Sequence, residues 1–389
     1  MSIQTVGVEE EFHIVDRRTR RLSPAATELL AELPAAVFTR EAKETCIETN
    51  SRPHANLSDL HADLVASRTL LADAAERAGV AVIASGTAPI AHLDDAPQSA
   101  GERYVAIARD YARVAREQVI CGLHVHVQVD DRDIAARAMA WISPHLPTLL
   151  ALSASSPYWL GQDTGYASWR NMVWQRWPSA GPATGFRSAR EYDALVEGLV
   201  RSGVITDTGM YYQDLRLSAH APTIEMRICD ACPDVNTSVL IAAVFRALVH
   251  RGVAAAANDR TMPSCPEVWL RAATWRAARS GLDGLLVDPT TMTAESARTT
   301  VWRLVEDLAP ELSAAGDLAF VRQATADLLA QGGGAHDIRR SAADPRHAVD
   351  LLISRTRTFR PVGSDAPTTG GRDPAAVTPR HLLQPPLVG

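Results

Sequence analysis

Lysine is almost missing from this sequence. Lys43 is the only one, and arginine supplies every other cationic side chain of that class. The bias, with abundant alanine, looks like the mark of a GC-rich genome and bears on no mechanism. Long apolar runs are missing too. No segment reaches the ~20 uninterrupted apolar residues of a membrane span, so no membrane partner is expected. The N-terminus lacks the basic and apolar regions of a signal peptide, which predicts a cytoplasmic location. Positive charge is not in excess: the net charge is −6, which argues against a nucleic-acid partner. No GxxxxGK[ST] and no GxGxxG follows a strand pattern, which sets aside P-loop and Rossmann folds. Cysteine is sparse and odd in number: Cys46, Cys121, Cys229, Cys232 and Cys265 read as free thiols. Cys229 and Cys232 form a lone CxxC, and without a second pair it is weak evidence for zinc or redox chemistry.

What is present describes a globular chain with a large core: 389 residues, 46% hydrophobic and 22% charged. Strand-like runs fall at about 4–16, 45–51, 80–87, 119–129, 210–218 and 223–229. Helical patterns cover "LSDLHADLVASRTLLADAAERAG", with a cap expected at Ser58 and a stop at Gly79. Others cover roughly 101–118, 132–154, 188–202 and 236–253, and the pattern is helical throughout from 265 to about 358. The last two strands are joined only by a short link around "AHAP", so that pair must be antiparallel. The expected fold is α+β, an antiparallel sheet backed by helices. One domain is expected over 1–362, followed by a disordered Gly/Pro/Ser/Thr-rich tail over 363–389.

The opening strand, "TVGVEEEFHIV", carries three adjacent glutamates, residues that are costly to bury. Alternation puts Glu9 and Glu11 on one face and Val8, Glu10 and Phe12 on the other. Two carboxylates roughly 6.5–7 Å apart on one face repel each other unless solvent or a cation intervenes. A solvated edge strand and a cation site both fit that stretch alone. Four further strands repeat the pattern. Cys46, Glu48 and Asn50 share a face, as do His124, His126 and Gln128, then Tyr212, Asp214 and Arg216, then Glu225 and Arg227. Solvated faces favour Lys, Thr, Ser and Gln. Here the residues are carboxylates, imidazoles and arginines. Carboxylate and imidazole suit Mg²⁺ or Mn²⁺, and arginine suits phosphate or carboxylate. Together they point to phosphoryl transfer from a nucleotide.

The segments "GVEEEF", "CGLHVHV", "GYASWRNMVWQRWPSAGP", "YYQDLR" and "PTIEMRICD" resemble, in that order, the carboxylate–amine ligase family, also called type 2 glutamate–cysteine ligases. The resemblance runs from about residue 4 to about 358. It implies the glutamine-synthetase-like fold: a six-stranded antiparallel sheet forming a funnel, with helices outside. It implies ATP-dependent amide formation between a carboxylate, usually the γ-carboxylate of glutamate, and an amine, through an acyl phosphate, with glutamate–cysteine ligase activity as one form. It implies Glu9, Glu11, Glu48, His124 and Glu225 as metal ligands and Arg227 as the contact to the transferring phosphate. Arg170, Arg176 and Arg216 become candidates for substrate carboxylates or ATP phosphates. Asn171, His126, Tyr212 and Asp214 become lining residues. Glu10, on the opposite face, is expected to pair with an arginine. "SRPHANLSDL" after Glu48 and "YYQDLR" depart from the family's usual forms, which puts its usual acid–amine pair in question. A small-molecule acid and an amine are the expected partners, and a homodimer the expected assembly.

Two other readings compete. A guanidino-kinase-like phosphotransferase would stop at the phosphorylated product. A non-catalytic metabolite- or nucleotide-binding protein could use the same fold.

Overall fold

The structure is a computed structural model that describes residues 4–261, 265–288 and 291–359. The expected tail over 363–389 lies outside the described residues.

Strand β1 (Val6–Asp16) is the axis of the main sheet. After helix α1 (Ala26–Glu32) come β2 (Phe38–Arg40) and β3 (Cys46–Asn50). Helix α2 (Leu57–Arg77) then leads to β4 (Val80–Ile83). Helices α3 (Glu102–Tyr111) and α4 (Arg113–Arg116) precede β5 (Gly122–Gln128). Next come α5 (Arg132–Ile142), α6 (Leu146–Ser153), the two-residue strands β6 (Tyr158–Trp159) and β7 (Gln162–Asp163), α7 (Trp169–Trp174) and α8 (Ala189–Arg201). Strands β8 (Leu215–Leu217) and β9 (Thr223–Asp230) close the sheet, and α9 (Val235–Ala257) crosses behind it. The main sheet has the order β2-β3-β1-β5-β9-β8, with β4 also paired to β1. Every pairing in it is antiparallel. The expected six-stranded antiparallel sheet is therefore present, with β4 as a seventh member.

The apolar face packs as alternation requires. Val6, Val8, Leu123, Val125, Val127, Ile224, Met226 and Ile228 join one buried cluster with residues of α2, α5, α6 and α9. Phe12, Ile14, Phe38 and Ile47 meet α1 and the C-terminal half of α2 in a second. Helix α9 is long and apolar enough to cross a membrane, with mean hydropathy 1.7, but 78% of that stretch is buried inside the protein. It is a core helix behind the sheet.

Several boundaries differ from the sequence expectation. Helix α2 is capped by Asn56, whose side chain accepts from the Asp59 amide. Ser58 instead sits inside the first turn and donates to Asn56 Oδ1 at 2.8 Å. Gly79 stops the helix as expected, with φ 75°. The 101–118 helix is broken at Ala112, whose φ of 46° no α-helix tolerates. Strand β4 is shorter than 80–87, because Ser85, Gly86 and Thr87 turn away to bond Ser155 and Tyr158. Only 215–217 of the 210–218 run is strand, since Thr208–Met210 is a 3₁₀ turn. The region after 265 is not helical throughout. Helix α10 (Glu267–Ser280) ends at Gly281, and β10 (Leu285–Val287) pairs with β11 (Ala294–Ser296) before five helices follow, α11 (Ala297–Asp307) to α15 (Pro345–Arg357).

Candidate active site

Register builds the site. Glu9 on β1 lies between Asn50 on β3 and His124 on β5, and Glu11 lies opposite Glu48. On the other side of β5, His126 pairs with Glu225, and Glu225 with Arg216 on β8. Between Leu123 and Val125 the β5–β9 register shifts: Leu123 pairs with Cys229 but Val125 with Met226. Arg227 and Ile228 therefore share the place opposite His124. Such a bulge re-aims a side chain and leaves carbonyls unpaired. Arg170 takes both, donating to Arg227 O at 3.2 Å and Ile228 O at 3.1 Å. Gly122 makes room for it, since a Cβ there would lie 2.3 Å from Arg170 Nη2.

The five residues expected as metal ligands come together. Glu9, His124 and Glu225 offer donor atoms within 4.8 Å of one another, and so do Glu11, Glu48 and His124. The triads share His124, so they describe one cluster of four carboxylates and an imidazole. His124 Nδ1 is 3.0 Å from Glu9 Oε2, and His126 Nε2 is 3.1 Å from Glu9 Oε1. Arg216 grips Glu225 with Nε at 2.7 Å and Nη2 at 3.0 Å, and Arg227 bonds the same carboxylate.

The electrostatics pull the carboxyls apart. Burial pushes Glu225 up, but Arg227, Arg216 and His126 outweigh it and hold it well below the usual carboxylate range. Burial opposes Glu9 in the same way, and its bonds to His124 and His126 bring it down. Among the described residues Glu48 forms no ion pair; burial, then Glu41, Glu9 and Glu11, push it well above its ordinary value. His124 is lowered by burial and Arg227 against the pull of Glu9. His126 is raised: its burial is outweighed by Glu9 and Glu225. Carboxylates this close repel unless protonated or bridged, and a hard divalent cation with oxygen and imidazole ligands matches the donor set.

Two cavities open onto this face. One, of about 260 Å³, is lined by Glu9, Glu11, Glu48, His124, Arg170, Tyr212, Arg216 and Arg227. The other, of about 400 Å³, is lined by His126, Gln128, Thr223 and Glu225 and shares Glu9 and Arg216 with the first. Three residues expected to line the site line neither. Asp214 is buried beneath it: Gln175 Nε2 lies 3.4 Å from its Oδ1, and burial pushes its carboxyl up to about 8. Asn171 is fully buried in α7. Arg176 is drawn aside to Glu117 and to the Val173 carbonyl. The reason is the same for all three. Asn171 lies in the short helix α7, Arg176 in the turn after it, and Asp214 ahead of β8, so strand alternation governs none of them.

Sequence reading missed Glu41, Lys43, Arg103, Tyr104, Trp174 and Trp177, which also line the first cavity. Glu41 follows β2, a three-residue strand with too little alternation to read. Its carboxyl is pushed up to about 7 by burial and by Glu11. Trp174 carries two arginines on its ring, Arg227 at 5.5 Å and Arg170 at 5.6 Å. All five cysteines are free, as expected, and no cysteine belongs to a metal-donor group among the described residues.

The sequence matches glutamate-cysteine ligase family 2 (GCS2) over residues 5–348. The chain belongs to that family. A Frankia alni relative, provisionally named glutamate–cysteine ligase 2-3, is 46% identical over 386 residues, covering 98% of this chain but 45% of the relative. The chain thus spans less than half the length of that protein. A Mycolicibacterium smegmatis relative with the same kind of provisional name is 43% identical over 367 residues, covering 93% of this chain and 92% of the relative. Among solved structures, the glutamate–cysteine ligase of Francisella tularensis in complex with AMP superposes with TM-score 0.69. That match has 13% identity and covers 92% of this chain and 90% of the other. At that identity the likeness establishes the fold shared with this family 2 member.

Proposed function

We propose that this family 2 chain is an ATP-dependent ligase that joins a small carboxylic acid to an amine through an acyl phosphate. Glutamate is the leading acid and cysteine a candidate amine, from the names its relatives carry. The observation that carries the reading is the pair of donor triads sharing His124, set against two arginines on the same sheet face. Residues 1–362 act in this reading as one catalytic domain. Because ATP is consumed, the activity belongs in the cytoplasm. A homodimer is the assembly to test, by light scattering.

Glu9, Glu11, Glu48, His124 and Glu225 would hold Mg²⁺ or Mn²⁺, which when bound neutralises phosphate oxygens and draws acid and nucleotide together. The chain's own groups do the rest. A free carboxylate does not acylate an amine, because its leaving group is oxide or hydroxide. Transfer of the γ-phosphoryl group to a carboxylate oxygen releases ADP and makes phosphate the leaving group. Arg227 would meet the charge that develops on the moving phosphoryl group, and Glu225 keeps it cationic there against the desolvation that burial brings. Attack of the amine on the acyl carbon then expels phosphate carrying the oxygen that came from the acid.

Acid labelled with ¹⁸O in its carboxylate tests the reading. One label should appear in inorganic phosphate for each amide formed. Unlabelled phosphate, or AMP and pyrophosphate as products, would replace the acyl phosphate by adenylation or another route.

A further inference from the structure

Beside the metal-ligand cavity lies a larger one of about 740 Å³, between the segment before β3, the 93–98 turn and the α3–α4 corner. Its charged residues are Lys43, Arg113, Arg116, Asp94 and Glu117. The arginines are committed: Arg113 bonds Glu117, and Arg116 bonds Asp94 at 2.6 Å. Lys43 is not. Among the described residues its Nζ meets Gln98 Oε1 at 3.2 Å and forms no ion pair with a carboxylate. Yet Lys43 is only 5% exposed. Burial and the neighbouring Arg116 lower its ammonium to about 8, so it still carries its charge at neutral pH.

A buried ammonium without a counter-ion is costly, and an arriving anion relieves that cost. The position says where such an anion would sit. Lys43 and Gln98 line both the outer cavity and the metal-ligand cavity, so they are the threshold between them. Gln98 uses Oε1 on Lys43, which leaves its Nε2 as a second donor beside the ammonium. Two donors side by side match the two oxygens of a carboxylate. The outer volume is within the ~300–1,000 Å³ typical of small-molecule sites.

We infer that Lys43, with Gln98, binds a non-reacting carboxylate of a substrate at this threshold, and that the outer cavity is the route by which that substrate reaches the metal-ligand cluster. The inference rests on the ligase reading only for the substrate class. That carboxylate belongs either to the acid, as the α-carboxylate of an amino diacid, or to an amino-acid acceptor.

The single lysine makes the test site-specific. Protein grown with lysine ¹³C-labelled at Cε gives one lysine resonance, from Lys43. Glutamate is compared with 4-aminobutyrate, which lacks its α-carboxylate, and cysteine with cysteamine. Saturable movement with glutamate but not 4-aminobutyrate assigns the site to the acid. Movement with cysteine but not cysteamine assigns it to the acceptor. No movement with either amino acid, or equal movement with the decarboxylated partners, overturns the inference. The readout needs no turnover, so it stands apart from ADP release, which tests the ligase reading itself. In kinetics, Lys43→Met should raise KM about tenfold or more for the substrate that moved the resonance, with kcat little changed, and Lys43→Arg should restore part of the loss. A fall in kcat shared by all substrates at unchanged KM would mark a structural role and also overturn it.

Discussion

Arg68 holds Glu10 on the helix side of β1, with Nη2 2.6 Å from Oε1 and Nε 2.9 Å from Oε2. Ser238 on α9 donates to the same carboxylate at 2.7 Å. Arg68 itself is anchored to the carbonyls of Cys232 and Pro233. One strand thus carries two kinds of glutamate: Glu10 fixes the sheet to its helices, while Glu9 and Glu11 face the cavity. Breaking a buried, fully bonded pair by removing one partner costs about 3–5 kcal/mol. Glu10→Gln and Arg68→Met should therefore lower the melting temperature sharply and leave divalent-cation affinity in the surviving folded protein unchanged. Urea unfolding with and without Mn²⁺ measures both quantities. A Glu10→Gln protein as stable as the parent would show that this pair does not anchor the sheet.

Glu9→Gln, Glu11→Gln and Glu48→Gln should behave in the opposite way. Each removes a carboxylate from one of two donor triads, whose donor atoms lie within 4.8 Å of one another. Divalent-cation affinity should fall, and kcat should drop by roughly 10²-fold or more, on the scale of losing ~3 kcal/mol of transition-state electrostatics. Excess Mn²⁺ should recover part of the rate. Stability without metal should hold or rise at Glu48, because burial and three neighbouring carboxylates already resist its charge. Calorimetric Mn²⁺ titration beside thermal melts reads each effect. Small and equal changes at all three positions would sink the metal-site reading.

The parts of this site that the sequence made legible are those governed by strand alternation. Glu9 and Glu11 fall two apart on β1, and Glu48, His124 and Glu225 each fall two from another polar residue on their own strands, so their shared polar face followed from spacing. The opposite placement of Glu10 followed from the same rule, and an arginine partner was expected for it there. Spacing is silent where backbone is irregular. Glu41 and Lys43 lie in the link between β2 and β3, Asp214 precedes a three-residue strand, and Arg176 follows a helix of six residues. The Gly122–Arg170 contact joins residues far apart in sequence, and no local pattern announces it. The β10–β11 pair was hidden for a different reason: its strands are three residues each, below the length at which alternation can be told from a helical period.

Gly122 offers a sharp steric test. An added Cβ would meet Arg170 Nη2 at 2.3 Å and Cζ at 2.9 Å, and Arg170 is itself fixed to the bulged carbonyls of β9. The Gly122 amide also donates to Glu11. Gly122→Ala should cost about 1–3 kcal/mol, as overpacking does, and should shift Glu11 and Arg227 together. Activity should then fall more than stability accounts for at a temperature where the variant is fully folded. A crystal structure or Mn²⁺ affinity unchanged from the parent would rule out that coupling.

Asp214 should give the protein a pH-dependent stability of defined sign. Burial raises its carboxyl from 3.8 to about 8, with Arg170 and Gln175 only partly offsetting the cost of charge. Among the described residues no donor meets its buried Oδ2, so a charge there would stand unsolvated. Between those two values the folded chain binds a proton that the unfolded chain has released. Stability from this group is thus fully present below about pH 4, declines as pH rises, and is gone once pH passes about 8. Asp214→Asn removes the titration while keeping the shape and the bond to Gln175. The variant should match the parent below about pH 4 and become the more stable of the two progressively toward pH 8–9, where the parent must bury a charge or open to solvate it. Chemical unfolding at several pH values, taken as the difference between the two proteins, isolates this group from all others. A difference that stays flat across the range, or that favours the parent at high pH, would show that Asp214 is ionised and paired in the folded state.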